Sequence, residues 1–246
     1  IRRPPRSTLD RSSAASDVYK RQVSVIIVSA GESQRMAGLD KIFTPILDKP
    51  VINYSISTFA ECPEISEIVV VVAKSRIDKF KALLEQSNWQ KPISYCVGGT
   101  SRQDSVMAGL SILNPCDLVI IHDGARPCIT KEIVQRAINS VSATGAATAG
   151  VPTTDTIKIV GKNDTVVSTP PRENLWNIQT PQIFKYDLIR KAHLQKPNTY
   201  ITDDSTLVEQ MGVAVKVFWG SYSNIKITNA EDIYIAESTL RENQEA

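Results

Sequence analysis

The sequence predicts an α/β protein: a mostly parallel sheet with helices on both faces and a β-hairpin arm projecting from it. Three observations carry this. Four short runs are continuously apolar and rich in β-branched residues, as strands buried on both faces must be. Stretches with apolar residues at helical spacing lie between them, an alternation that produces parallel strands joined by helical crossovers. Beyond residue 151 the pattern changes to a polar, turn-rich segment with two short β-prone runs, which reads as an arm leaving the sheet.

The elements follow in order. Residues 23–29 (VSVIIVS) form the first strand. Residues 50–60 form a helix whose apolar face is Val51, Ile52, Ile56 and Phe59. Residues 68–73 (IVVVVA) are the second strand, followed by a helix over 75–86 with Ile77, Phe80, Leu83 and Leu84 apolar. A third, shorter strand spans 93–97, and the helix over 101–113 places Val106, Leu110 and Leu113 on one face. The fourth strand is 118–122 (LVIIH). A helix over 131–144 follows it, with Thr130 as N-cap and Glu132 in the first turn, where an acid suits the helix dipole. Residues 146–151 continue the sheet. In the arm, at about 151–176, Gly161-Lys162-Asn163-Asp164 is a hairpin turn between runs 156–160 and 165–168. Helices near 186–194 and 205–211, a strand at 214–219 and a helix from 230 to about 240 complete the chain. No internal repeat or linker interrupts the body, so residues 23–246 read as one Rossmann-like domain with a projecting arm.

Composition sets outer limits. At 246 residues, with 42% hydrophobic and 22% charged side chains, the chain has the make-up of a globular protein and not of a disordered one. No apolar run approaches the ~20 residues needed to cross a bilayer, so no membrane partner is expected. Residues 1–22 hold six basic and two acidic side chains, which leaves a body with 22 basic against 24 acidic. A slightly acidic body argues against nucleic acid as a partner. Those first residues show neither helical period nor alternation and are rich in Arg, Ser and Pro. They are expected to be a disordered, non-native or targeting-like tail outside the fold. Their two acids fit poorly with an organelle transit peptide, so a bacterial cytoplasm is expected before a plastid. Cys62, Cys96, Cys116 and Cys128 form no CxxC pair and read as free thiols in a reducing compartment. With two histidines a zinc site is not expected, and any metal should be a hard, oxygen-bound ion.

In an open parallel sheet, ligands bind just past the carboxyl ends of the strands. After the first strand comes Ser29-Ala30-Gly31-Glu32-Ser33-Gln34-Arg35-Met36-Ala37-Gly38-Leu39-Asp40-Lys41. Small residues there let a ligand approach the backbone, and exposed N–H groups can cradle phosphate. Arg35 and Lys41 bring two cations, a combination suited to a triphosphate. Other motifs compete for this loop. A dinucleotide fingerprint needs GxGxxG and finds only Gly31, and a Walker A loop fails because Gly38 is not followed by Lys. The nucleophile elbow GxSxG is the nearest miss, with Arg35 in place of its second glycine. A cationic surface loop with no function is the plainest alternative.

After the third strand, Val97-Gly98-Gly99-Thr100-Ser101-Arg102-Gln103-Asp104-Ser105 opens a helix with paired glycines. A nucleobase against the glycines or a phosphate at the helix N-terminus would fit, and so would a simple capped loop. After the fourth strand, His122-Asp123-Gly124-Ala125-Arg126-Pro127 puts an aspartate where Mg²⁺ or a substrate could be held; an Asp123–Arg126 salt bridge is the alternative. His122 reads as a packed histidine and not as a base.

The order of these motifs, with Pro152-Thr153-Thr154-Asp155-Thr156-Ile157-Lys158, Thr180-Pro181-Gln182, Ile201-Thr202-Asp203-Asp204 and Asn224-Ile225-Lys226-Ile227-Thr228, resembles the 2-C-methyl-D-erythritol 4-phosphate cytidylyltransferase family over essentially all of residues 23–246. The resemblance implies an Mg²⁺-dependent transfer of CMP from CTP to a sugar-alcohol phosphate. It implies that Arg35 and Lys41 stabilise charge on the α-phosphate, and that Ala30, Gly31, Gly98, Gly99, Arg102 and Ser105 form the nucleotide pocket. Asp123 and Arg126 would sit where CTP, metal and acceptor meet, with Asp123 a metal ligand unless the CTP phosphates alone hold the ion. Arg172 and Lys226 would position the acceptor phosphate, and Asp155, Thr156 and Thr202 its sugar. It further implies a homodimer joined through the arm, so that Asp155, Thr156 and Arg172 serve the neighbour's site. Ribitol 5-phosphate is the rival acceptor, and a silent nucleotide-binding protein is the rival class. The chain departs from the pattern at Asp40, where many relatives have Pro, in a loop shorter by one residue, at Gly124, and at Pro170-Pro171 before Arg172.

Overall fold

The computed structural model describes residues 21–31, 40–141, 144–195 and 201–245. The tail expected over residues 1–22 falls outside these up to residue 20. Gln22 already bonds into the sheet. Its N–H donates to Asp117 Oδ2 at 2.7 Å, and its carbonyl accepts from the N–H groups of Asp117 and Leu118 at 3.0 and 3.1 Å.

In chain order the elements are β1 (Val23–Ser29), β2 (Pro45–Ile46), β3 (Lys49–Pro50), α1 (Val51–Ala60), β4 (Ile65–Val72), α2 (Ile77–Gln86), β5 (Ile93–Val97) and α3 (Arg102–Ile112). Then come β6 (Leu118–Asp123), α4 (Lys131–Ser140), β7 (Ala146–Pro152), β8 (Ile159–Val160), β9 (Val166–Ser168), β10 (Trp176–Lys185), α5 (Tyr186–Leu194), α6 (Asp204–Gln210), β11 (Lys216–Trp219) and α7 (Glu231–Glu245). Among the described residues, one seven-stranded sheet runs in the order β11-β7-β10-β6-β1-β4-β5. β1 is parallel to β4 and β6, β4 to β5, and β11 to β7, while β10 is antiparallel to both its neighbours.

Strand alternation divides the core into two layers. Val25 and Ile27 of β1 and Ile68, Val70 and Val72 of β4 face α1, α2 and α4 through Ile52, Ile56, Phe59, Phe80, Ile133 and Ala137. Ile26, Val69 and Val71 point the other way, onto α3, α5 and α6 through Val106, Leu110, Ile189, Leu207 and Val208. Each such side chain contributes roughly 1.5–3 kcal/mol by leaving water, so these strands are continuously apolar. The last helix, α7, packs Ala236 and Leu240 onto Ile46, Val51 and Ile227 in a smaller cluster.

Several boundaries differ from those the sequence predicts. β4 starts at Ile65 and not at 68, because Val23 pairs with Ile65 and the Ser66 hydroxyl donates to the Val23 carbonyl at 3.0 Å. α4 ends at Ser140, whose hydroxyl turns back to the Ala137 carbonyl at 2.7 Å. Thr130 holds the N-cap position without a side-chain cap bond. The strand β10 is not anticipated at all. Its sequence, WNIQTPQIFK, has few apolar residues at its start and a proline inside, and the register against β7 shifts between Ile178 and Gln182, as strand prolines require. The arm hairpin pairs only Ile159 with Ser168 and Val160 with Val166, shorter than predicted, and turns through Asn163 and Asp164 at φ 60° and 55°. Asn and Asp tolerate that left-handed region better than most residues.

Candidate functional site

The order of strands reverses at β1: β4 and β5 lie on one side of it and β6 on the other. A cavity of about 1090 Å³ opens there, at the carboxyl ends of β1, β4, β5 and β6. Of the predicted residues, Ala30, Gly31, Lys41, Gly98, Gly99, Arg102, Ser105, Asp123 and Lys226 line it. A smaller cavity of about 170 Å³ is lined by Arg126 and Thr202 and shares Arg102, Asp123 and Lys226 with the larger one. The two spaces therefore meet at a group of three charged side chains. Arg35 lies outside the described residues. Asp155, Thr156 and Arg172 line neither cavity; they stand in the arm, where Arg172 Nη1 donates to the Thr154 carbonyl at 2.9 Å.

The glycines after β5 have a reason internal to the protein. A Cβ on Gly98 would collide with the Ala30 side chain and come within 2.8 Å of Ser105 Oγ, and one on Gly99 would strike the Asp104 side chain. Gly98 thus lets the loop after β1 pack against the start of α3. Gly99 makes room for a capping box, in which Ser101 Oγ accepts from the Asp104 N–H at 3.0 Å and Asp104 Oδ2 accepts from the Ser101 N–H at 3.0 Å. The Ser105 hydroxyl donates to the Ser101 carbonyl at 2.9 Å, so it can offer a ligand only a lone pair.

Asp123 is the only carboxylate among the described residues lining the larger cavity. Lys226 Nζ lies 2.9 Å from it, Arg126 Nε 3.5 Å and Arg102 Nε 3.6 Å. Burial disfavours its charge, yet Lys226, Arg102 and Arg126 outweigh burial and hold the carboxyl well below the usual range. Arg102 reaches past it: Nη1 is 2.7 Å from Oδ2 of Asp204, which is 1% exposed and whose Oδ1 faces His193 Nε2 at 3.0 Å. Burial would lower the Arg102 pKa, but Asp204 and Asp123 raise it instead. Burial lowers that of Arg126, and Asp123 offsets this only in part. Arg102 Nη2 is buried without a hydrogen-bond partner, and an unpaired buried donor is costly.

His122 is packed, as expected, and its surroundings fix its form. Nε2 faces the Arg126 carbonyl at 3.2 Å, which can only accept, so Nε2 carries the proton; Nδ1 then accepts from the Thr180 hydroxyl at 3.2 Å. The ring packs edge-on against Phe59 at 5.2 Å between centroids. Burial lowers its pKa from 6.5 to about 4. In the window between those values the unfolded chain binds a proton that the fold refuses. His122 therefore contributes stability fully present above 6.5 and lost as pH falls towards 4. Thermal melts of wild type and His122→Gln across this window check it: the variant should lose part of the acid-side slope, and identical slopes would contradict the assignment.

Sequence reasoning misses several residues that build the site. Arg76, 9% exposed, bonds both stems of the loop after β1. Gln182, fully buried, caps α6 by accepting from the N–H groups of Asp204 and Ser205, both at 3.1 Å, and donates to Asp203 Oδ2 at 2.7 Å. Thr180 Oγ1 accepts from the Asp123 N–H at 3.0 Å. The Asn224 carbonyl accepts from Arg126 Nη1 at 2.8 Å. Thr180, Gln182 and Asn224 stand in motifs that carry the resemblance, but no local pattern gives the role of any of the four, because each acts across the fold.

A cation-rich cavity at the switch point of a parallel sheet, opening from glycine and small-residue loops, defines an α/β protein that handles nucleotide phosphates. The comparisons narrow this. The model of the IspD family, described as 2-C-methyl-D-erythritol 4-phosphate cytidylyltransferase, matches residues 23–242, and the chain belongs to that family. A 2-C-methyl-D-erythritol 4-phosphate cytidylyltransferase of Dehalococcoides mccartyi is 43% identical over 220 residues, covering 89% of this chain and 96% of its own. One of Caldanaerobacter subterraneus is 46% identical over 224 residues, covering 89% and 99%. Among solved structures, the 4-diphosphocytidyl-2C-methyl-D-erythritol synthase of Anaerococcus prevotii superimposes with a TM-score of 0.81 at 35% identity, covering 90% of this chain and 97% of its own.

Proposed function

We propose that the protein transfers CMP from CTP to 2-C-methyl-D-erythritol 4-phosphate, releasing pyrophosphate. The observation that carries this reading is the meeting of two cavities at Arg102, Asp123 and Lys226, in a chain 43% and 46% identical to enzymes named for that acceptor. The larger cavity takes CTP and the smaller one the acceptor phosphate. An acceptor phosphate oxygen bonds to the α-phosphorus as the bond to the bridging oxygen breaks, and the electron pair leaves with pyrophosphate. A phosphate monoester has a second pKa near ~6, so at neutral pH the nucleophile is already ionised and no general base is required. Catalysis is then charge screening and alignment of two anions. Lys226 sits at the junction to neutralise the incoming phosphate, Arg126 and Arg102 frame it, and Lys41 faces the triphosphate. Arg35 keeps the role that the resemblance implies.

Among the described residues no three metal-ligating side chains gather. A single carboxylate, Asp123, with a triphosphate beside it suits Mg²⁺, which takes one or two carboxylates and substrate oxygens. Asp123 would be the protein ligand, and the ion would supply further charge neutralisation at the phosphates. Pyrophosphate release from CTP with methylerythritol phosphate and with ribitol 5-phosphate tests the reading: turnover with the first is expected, and turnover only with ribitol 5-phosphate, or with neither, contradicts it.

The reading extends to a homodimer, one domain per subunit, in the cytoplasm of a bacterium. Ile159, Val160, Val166 and Val167 in the arm are half or more exposed, which suits burial against a second copy. Asp155, Thr156 and Arg172 would then complete the neighbour's site. Mixing inactive Lys226→Ala and Arg172→Ala proteins under subunit exchange should restore about one quarter of wild-type activity, because each hybrid holds one intact site. No recovery in confirmed hybrids would contradict the crossing arm. Among the described residues no helix is long and apolar enough to cross a membrane.

A further inference from the structure

We propose that Arg76 and Asp40 form a clamp that positions Lys41 and Gly31 at the mouth of the nucleotide cavity. Arg76 lies in a short 3₁₀ turn after β4, with its side chain only 11% exposed. Its Nε is 3.0 Å from the Asp40 carboxylate, while Nη1 donates to the Gly31 carbonyl at 3.1 Å and the Ser29 carbonyl at 3.3 Å. One planar guanidinium thus ties the two stems on either side of residues 32–39. Only arginine has a rigid fork of donors that can do so. Lys79 also approaches Asp40, but at 3.9 Å and 64% exposed it adds little. Gly31 and Lys41 both line the cavity, and Lys41 follows Asp40 directly. Misplacing a charge by about 1 Å can cost on the order of 10²-fold in rate. Neither Arg76 nor Asp40 lines the junction of the two cavities, so both are positioning residues.

The inference rests on reading the cavity as the CTP site, and the experiment separates the two. Steady-state pyrophosphate release is measured for wild type, Arg76→Gln, Arg76→Lys, Asp40→Asn and the double variant Asp40→Asn/Arg76→Gln, together with melting temperatures. Each single variant should lose kcat by about 10-fold to 10²-fold with KM for the acceptor unchanged. Arg76→Lys should lose nearly as much as Arg76→Gln, and the double variant no more than the worse single, because the clamp fails once. Folded variants that keep wild-type kcat, or losses that multiply in the double variant, would overturn the clamp. Wild-type protein that releases no pyrophosphate would overturn the reading of the cavity beneath it.

Discussion

Lys226→Ala should lower kcat/KM for pyrophosphate release by about 10²–10³, the effect of removing one positioned charge contact from a transition state. Lys226 is the nearest cation to Asp123, at 2.9 Å, and the most exposed of the three around it, at 39%. It borders both cavities, so it can meet charge that arrives with the acceptor. The melting temperature should fall only by a few degrees, because Arg102 and Arg126 still face the carboxylate. Kinetic assays beside thermal melts check this, and unchanged turnover in a folded variant would remove Lys226 from the chemistry.

Arg102→Ala should instead damage stability as much as activity. Arg102 spans two buried carboxylates, Asp123 and Asp204, and among the described residues Asp204 then keeps only the His193 ring, at 3.0 Å, as a side-chain partner. Leaving one member of a buried pair uncompensated costs about 3–5 kcal/mol. For a protein of this size that lowers the melting temperature by roughly 6–20 °C. The double variant Arg102→Ala/Asp204→Asn distinguishes the cause. If the penalty is the orphaned Asp204 charge, the double variant melts higher than the single one while remaining inactive. If it melts no higher, the cost lies in packing around Arg102.

What the sequence makes legible follows from how locally each feature is encoded. β1, β4 and β6 are readable because each is buried on both faces, so nearly every position must be apolar. The loops after β1, β5 and β6 are readable because strand ends in a parallel sheet are where ligands go, and Ala30, Gly31, Lys41, Gly98, Gly99 and Asp123 from them do line one cavity. β10 escapes because its proline and polar start hide a strand whose partners, β6 and β7, are distant in sequence. Asp40 shows the same limit at the level of one residue. As a sequence letter it is a departure from the family pattern beside Lys41; in the fold it is the partner of Arg76, across 36 positions that no local pattern spans. The paired glycines are legible as a close approach, and Ala30 and Asp104 are the side chains that a Cβ on Gly98 or Gly99 would meet.

Cations at the carboxyl ends of the central strands should bring two mutually repelling anions together. A crystal structure of the protein with CTP tests it most directly. The cytidine and triphosphate are expected in the larger cavity, between Gly31 and the start of α3, with the α-phosphate towards Lys41 and Lys226. A nucleotide bound elsewhere, with both lysines turned to solvent, would contradict it.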